Sequence, residues 1–200
     1  MKVFMSVESQ IFNVLKESKR NTIFFPEDFL EIASPEAIRK ALQRLVDKEK
    51  ILRVAHGIYV LPDYSETLGQ LRPSATEVAL AIARRAKIRL IPTGTYALNA
   101  LGLSTQVPLK IVFLTDGAPR VIKIGKQTIR FKKTTPKNLS LKGEKSGLAI
   151  QALKEIGEKH VSSDEKDMIV KILKSEDSDH LRHDIKLAPV WIARIMKKAL

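Results

Sequence analysis

A run of turn-forming residues divides this chain into two differently patterned parts. Residues 61–73 contain two prolines, a glycine and several short polar side chains, which interrupt helices and strands rather than continue them. The segments on either side are both long enough to form a domain. The sequence therefore predicts a first domain over residues 1–66 and a second over residues 67–200.

The overall composition is typical of a folded, water-soluble protein. Hydrophobic residues make up 44% of the chain and charged residues 28%, which excludes a disordered tail or a coiled coil. The absence of cysteine excludes disulfides, thiolate metal sites and a cysteine nucleophile. Because no apolar run reaches about 18 residues and the first ten residues lack a signal-peptide pattern, we expect a cytoplasmic protein without a membrane segment.

The positive charge is concentrated in the middle of the chain. The net charge is +13, but residues 1–66 contain 10 basic and 10 acidic side chains, and residues 143–200 contain 11 and 10. Residues 67–142 contain 14 basic side chains and 2 acidic ones, too few acids to neutralise them locally. The middle segment is therefore predicted to face an acidic or polyanionic partner.

The first domain has the element order of a winged helix-turn-helix. Residues 6–18 repeat apolar side chains at helical spacing, with Ser6 as the predicted N-cap. Pro26 opens a short second helix, and Ser34 as N-cap followed by Pro35 begins a third. Two β-prone runs within residues 51–60 flank a His-Gly corner, which predicts a hairpin. In a winged helix the third helix enters the major groove and the hairpin, or wing, contacts the backbone or minor groove.

Polar side chains on the third helix and the wing are therefore candidate DNA contacts. The candidates on the helix are Ser34, Glu36, Arg39, Lys40, Gln43 and Arg44. The candidates on the wing are Arg53, His56 and Tyr59. Two alternatives stay open, because a charged helix face is often simply solvated and winged helices also dock proteins.

The second domain is predicted to be α+β, with a small antiparallel sheet covered by helices. Ser74 and Glu77 form a capping box for a helix that ends near Ala86. Residues 109–131 contain three β-prone runs separated by turn residues, which predict an antiparallel meander with one apolar and one basic face. A basic binding surface is predicted at Arg84, Arg85, Arg120, Lys123, Lys126, Arg130 and Lys132. The alternative is a solvated sheet face.

The sequence offers few groups for catalysis. His180 and His183 are three residues apart, which would place them on one helix face, but no third metal ligand follows at a specific spacing. The run Asp164, Glu165, Lys166 is similar to a nuclease element, but it lies at a predicted helix start rather than on a strand. We therefore predict a protein that is not an enzyme and that has no cofactor, no catalytic residue and no metal site.

Four short runs resemble AbiEi-type antitoxins of bacterial type IV toxin-antitoxin systems. They are RVAHGIY from Arg53, IPTGTYA from Ile91, LGLSTQVP from Leu101 and LTDG from Leu114. The resemblance extends over most of residues 5–155, and the run from Leu101 is its most specific part.

The resemblance implies an N-terminal domain that represses the antitoxin–toxin operon at inverted repeats in operator DNA. It also implies a C-terminal domain that neutralises an AbiEii-type nucleotidyltransferase toxin without needing a stable complex. The neutral first domain departs from the pattern of a strong DNA binder. An alternative is a stand-alone winged-helix regulator or nucleic-acid-binding protein with no toxin partner.

Overall fold

The computed structural model describes residues 5–200. They have a mixed α+β fold, as predicted, and form two compact units, Met1–Ala81 and Ile82–Leu200. The sequence places the boundary between the domains after residue 66, whereas the two compact units divide after Ala81. The turn-rich residues 61–73 are not a simple linker, because they contain a β-hairpin that belongs to the first unit.

The first unit combines helices with two small antiparallel sheets. Its elements are α1 (Val7–Glu17), β1 (Ile23–Phe24), a 3₁₀ helix (Pro26–Phe29), α2 (Pro35–Asp47), β2 (Leu52–Ala55), β3 (Ile58–Val60), β4 (Asp63–Ser65) and β5 (Gly69–Leu71). The first sheet has the order β1-β3-β2, and β4 pairs with β5. The sequence predicts the β2–β3 hairpin but not β1, because a two-residue strand is too short to show an alternating pattern.

Local caps and apolar spacing explain the helices of the first unit. The Ser6 hydroxyl accepts the Ser9 N–H at 3.2 Å, and the Ser34 hydroxyl accepts the Ala37 N–H at 3.4 Å. Both serines act as the N-caps that the sequence predicts. The apolar faces of α1 and α2 meet in one core, whose fully buried members include Ile11, Leu15, Ile38, Leu42 and Leu45.

Helix α3 (Ala75–Ala86) carries the predicted capping box. The Ser74 hydroxyl accepts the Glu77 N–H at 3.2 Å, and the Glu77 carboxylate accepts the Ser74 N–H at 2.7 Å. The boundary between the two compact units falls within this helix.

The second unit contains one four-stranded sheet and several helices. Its elements are β6 (Leu90–Thr93), α4 (Thr95–Ala100), β7 (Lys110–Thr115), β8 (Arg120–Ile124), β9 (Gln127–Lys133), α5 (Pro136–Leu139), α6 (Glu144–Ile156), α7 (Ser163–Leu173), α8 (Ser178–Leu187), α9 (Val190–Met196) and a 3₁₀ turn (Lys197–Ala199). The helices α4 and α6 to α9 supply one continuous apolar cluster. In residues 5–200 no helix has both the length and the apolar character needed to cross a membrane.

The predicted meander order of the sheet is wrong. The strands lie in the order β6-β7-β9-β8, and β7 pairs with β9 in parallel, while the other two pairings are antiparallel. The strands that carry the buried Phe113 and Phe131 occupy the centre. The more exposed β8 takes an edge, where less of its surface needs to be covered. The strand β6 is also unpredicted, because residues 91–94 resemble a turn.

Candidate nucleic-acid interface

Helix α2 presents a polar face opposite its buried side. Ser34, Glu36, Arg39, Lys40, Gln43 and Arg44 are all exposed, as an interface requires. The centre of this face is internally paired, since Lys40 Nζ lies 2.7 Å from Glu36 Oε1 and the Gln43 amide donates to Asp47 at 2.8 Å. The middle of the face therefore has little net positive charge to offer a phosphate.

One side of α2 is tied to α1 by a shared acid. The Glu8 carboxylate receives Arg44 Nε at 3.0 Å and Lys48 Nζ at 2.6 Å, and only 14% of its side chain is exposed. The hydrogen bonds from Lys48 and Arg44 lower the pKa of Glu8. Arg44 therefore holds two helices together in addition to being a candidate contact. The sequence does not reveal this role, because Glu8 and Arg44 are far apart along the chain.

Arg39 lies on the other flank of α2 and is not neutralised. Within residues 5–200 the structure gives it no hydrogen-bond or ion-pair partner, and it is exposed. Among the α2 cations predicted to bind DNA, it is the one whose charge is fully available to a phosphate.

The β2–β3 hairpin, which is the predicted wing, exposes Arg53 and His56 but not Tyr59. Arg53 and His56 are exposed, and Arg53 Nη2 lies 2.9 Å from His56 Nδ1. Tyr59 pairs with Arg53 across the β2–β3 hairpin, but its side chain packs in the core and the residue is only 5% exposed. The structure therefore does not place the Tyr59 side chain on the exposed surface with Arg53 and His56. The pairing with β1 places β3 at the centre of its sheet and buries it.

In the second unit, strand pairing defines which basic residues share a face of the sheet. Residues paired across neighbouring strands point to the same side. One row of paired residues is Lys110, Thr128 and Lys123, and the next is Val112, Arg130 and Val121. Lys132 pairs with Leu114 in the third row. We call the side that carries these three rows the open face.

The opposite side of the sheet is covered. It carries Phe113 and Phe131, which are buried with their ring centroids 6.2 Å apart, and Tyr96 of α4 packs on Phe113 at 5.9 Å. Arg120 pairs with Phe131, so it belongs to this side, and its guanidinium lies over the Phe131 ring at 5.0 Å. The prediction that Arg120 shares the basic face is therefore wrong, because Arg120 and Lys123 are three residues apart in one strand and point to opposite sides of the sheet.

The remaining predicted cations of the second unit are also exposed. Lys126 lies in the turn between β8 and β9, and Arg84 and Arg85 lie in the last turn of α3. Lys110 was not among the predicted cations of the basic surface. The signal for it was the alternation of buried and exposed residues along β7, which begins at Lys110. Val112, Leu114 and Val121 on the open face make it a mixed basic and aliphatic surface rather than a uniformly basic one.

Two acidic residues of the second unit have structural partners. Glu165 caps α7 by accepting the Ser162 N–H at 2.8 Å, and Asp116 accepts the Arg89 N–H at 2.9 Å. His180 and His183 both lie on α8, and within the described part of the chain no three metal-ligand side chains are grouped so as to hold an ion.

A buried carboxylate organises the helical side of the second unit. Asp184 of α8 is fully buried and accepts the N–H groups of Lys142 and Gly143, each at 2.9 Å, at the start of α6. It also accepts the Ser146 hydroxyl and lies 2.8 Å from His183 Nδ1. Burial alone would raise the pKa of Asp184, but the hydrogen bonds from His183, Ser146, Lys142 and Gly143 hold that pKa below its ordinary value. Asp184 therefore fixes the chain at the start of α6 through hydrogen bonds from Lys142, Gly143 and Ser146.

Comparison with known proteins gives a family without an assigned function. No curated protein matches the chain. The model of a family of unknown function, DUF6088, matches residues 10–181, so the chain belongs to that family.

Proposed function

We propose that the first unit is a winged helix that binds duplex DNA. The observation that carries this proposal is the order α1, β1, 3₁₀ helix, α2, β2, β3 together with the antiparallel sheet order β1-β3-β2. This order supplies a helix with an exposed polar face, followed directly by a hairpin, which are the two elements that a winged helix uses on DNA.

The charges of this unit favour weak binding by one copy and stronger binding by two. Non-specific affinity for DNA rises with the number of phosphates that cations neutralise. Among the cations predicted on α2 and the wing, Lys40 and Arg44 are paired with acids, which leaves Arg39 and Arg53 for the duplex. A pair of molecules on an inverted repeat would double the number of contacts. We therefore propose an operator with inverted repeats.

We propose that the second unit gives the protein an antitoxin activity against a nucleotidyltransferase toxin of the AbiEii type. The support is the sequence resemblance to AbiEi-type antitoxins and the open face, with Lys110, Lys123, Arg130 and Lys132 among aliphatic side chains. The four strands of this sheet contain no acidic residue, so an acidic protein surface is electrostatically complementary to it. The protein would thus repress its own operon and neutralise the toxin encoded there.

Co-expression with the neighbouring gene tests the antitoxin activity. We expect the neighbouring gene to stop growth when expressed alone and growth to be restored when this protein is co-expressed. A gel shift on the DNA upstream should give a complex that weakens steeply as salt is raised. A shift without a toxic neighbour would contradict the antitoxin proposal and leave a stand-alone regulator.

Charge reversal separates the two proposed activities. Changing Lys123, Arg130 and Lys132 to glutamate should abolish neutralisation and leave the DNA complex intact, because the open face belongs to the second unit. Arg120→Glu is the matched control, since it changes a cation on the opposite side of the same sheet. Full neutralisation by the triple variant would remove the open face from the antitoxin role.

A further inference from the structure

Charge pairing leaves one cation at the wing without a carboxylate. In residues 5–200 no acidic side chain lies within ion-pair distance of Arg53, whereas Lys40 and Arg44 on α2 are held by Glu36 and Glu8. The partner of Arg53 is instead the imidazole of His56. The net charge of the wing is therefore carried by Arg53, and a nearby anion would not have to displace an acid to reach it.

The Arg53–His56 contact ties the guanidinium to the tip of the hairpin, with Arg53 Nη2 lying 2.9 Å from His56 Nδ1. A guanidinium can only donate hydrogen bonds, so in this contact His56 Nδ1 has to act as the acceptor. Gly57 allows the tight turn beside His56, since its φ of +67° is a conformation that side-chain-bearing residues rarely adopt. An arginine held in one geometry before binding loses less conformational entropy on contact with its ligand.

The shape of the wing tip suits a narrow groove. The residues beside His56 are Ala55 and Gly57, so the tip carries little bulk besides the Arg53–His56 pair. The minor groove of B-DNA is about 6 Å wide. Runs of A·T pairs narrow it further and deepen its negative potential, which attracts arginine.

We infer that Arg53, held by His56, is the cationic contact of the wing with DNA and enters the minor groove of an A·T-rich duplex. This inference rests on the proposed DNA binding and adds the base composition of the ligand and the residue that reads it. His56 acts as a positioning residue, because its role is to hold Arg53.

The test compares two duplexes of equal length, one with an A·T-rich centre and one with a G·C-rich centre. Fluorescence anisotropy at several salt concentrations gives the affinity and the salt slope of each. We expect the protein to prefer the A·T-rich duplex by about tenfold, within the range of a good base-edge contact. Arg53→Lys should remove the preference but keep the salt slope, because lysine supplies the charge without the planar fork.

His56 is tested by two substitutions, one that removes the hydrogen-bond acceptor for Arg53 and one that keeps an acceptor. His56→Ala should reduce the A·T preference several-fold and leave the salt slope unchanged. His56→Gln should restore part of the preference, because its amide oxygen can accept from Arg53. The ¹⁵N shifts of the His56 ring in the free protein should show a proton on Nε2 and none on Nδ1, and a protonated Nδ1 would overturn the positioning role.

The outcomes separate the inference from the proposed function. Equal affinity for the two duplexes, or a preference that survives Arg53→Ala, would overturn the inference and leave DNA binding intact. A protein that binds neither duplex would refute the proposed DNA binding and the inference with it. Unchanged thermal unfolding of the Arg53 and His56 variants would assign the lost preference to the contact and not to the fold.

Discussion

Replacing Asp184 with asparagine should destabilise the second unit by about 2–4 kcal/mol. The carboxylate accepts two backbone N–H groups, the Ser146 hydroxyl and His183 from a fully buried position. An asparagine amide has one oxygen, so its NH₂ must face Lys142 N–H or Gly143 N–H. A buried donor left unpaired costs about 1–3 kcal/mol, and hydrogen bonds to a charged group contribute more than neutral ones.

The single tryptophan makes this loss measurable in the second unit alone. Trp191 packs against the apolar cluster of helices α4 and α6 to α9. Its fluorescence during urea denaturation therefore reports the unit that contains Asp184. We expect a lower urea midpoint with an unchanged m-value, because the surface exposed on unfolding stays the same.

Asp179→Asn is the matched control for Asp184→Asn. It removes the same charge from the same helix, but 90% of the Asp179 side chain is exposed. Its midpoint should stay close to that of the unchanged protein. A loss below about 1 kcal/mol for Asp184→Asn would refute the reasoning, since it would mean that the α6 N–H groups find other partners.

The same variant should alter the acid sensitivity of the second unit. Because the pKa of Asp184 is lower in the folded protein, its carboxylate stabilises the fold above the unfolded pKa of about 3.9. This contribution is lost as the pH falls below that value towards the folded pKa. Asp184→Asn should therefore flatten the stability profile below about pH 4. An equally steep profile for the variant would show that other carboxylates cause the loss.

Four further substitutions have directional outcomes. Gly143→Ala should cost about 1–3 kcal/mol by the tryptophan assay, because a Cβ there would overlap the Glu176 carboxylate; an unchanged midpoint would contradict this. Glu49→Gly should stabilise the first unit by about 0.5–1 kcal/mol in thermal unfolding followed by circular dichroism, because Glu49 has a φ of +55°, and a lower midpoint would refute it. Arg39→Ala should reduce the salt slope of DNA binding by about one, because one cation that contacts a phosphate is lost. Arg44→Ala should mainly lower the stability of the first unit, because Arg44 is paired with an acid of α1. The reverse pattern would contradict the view that Arg39 is available to DNA and that Arg44 is not.

Residue patterns predicted the parts of the fold that depend on neighbours in sequence. The caps at Ser6 and Ser34, the capping box at Ser74 and the β2–β3 hairpin are all present. Each depends on hydrogen bonds or apolar contacts within a few residues. The two-residue strand β1 and the strand β6 gave no such signal, because pairing with a distant strand creates them.

The exposure of most candidate residues on α2 and the hairpin agrees with the sequence prediction, but their ion pairing was not predicted. The exposed positions on α2 and the wing followed from helical spacing and from the hairpin, with Tyr59 as the exception. The sequence did not show which cations are free of an acid, because the ion pair between Glu8 and Arg44 joins residues that are 36 positions apart. Pattern reasoning likewise assigned Arg120 to the wrong face of the sheet.

The sequence by itself determined the α+β composition, the helix starts and the concentration of positive charge in residues 67–142. These properties follow from residue type and short-range spacing. The tertiary structure decided the strand order β6-β7-β9-β8, the burial of Tyr59 and Asp184, and the pairing that leaves Arg39 and Arg53 without an acid among the described residues. These properties require contacts between residues far apart in the chain, and such contacts depend on how the whole core packs.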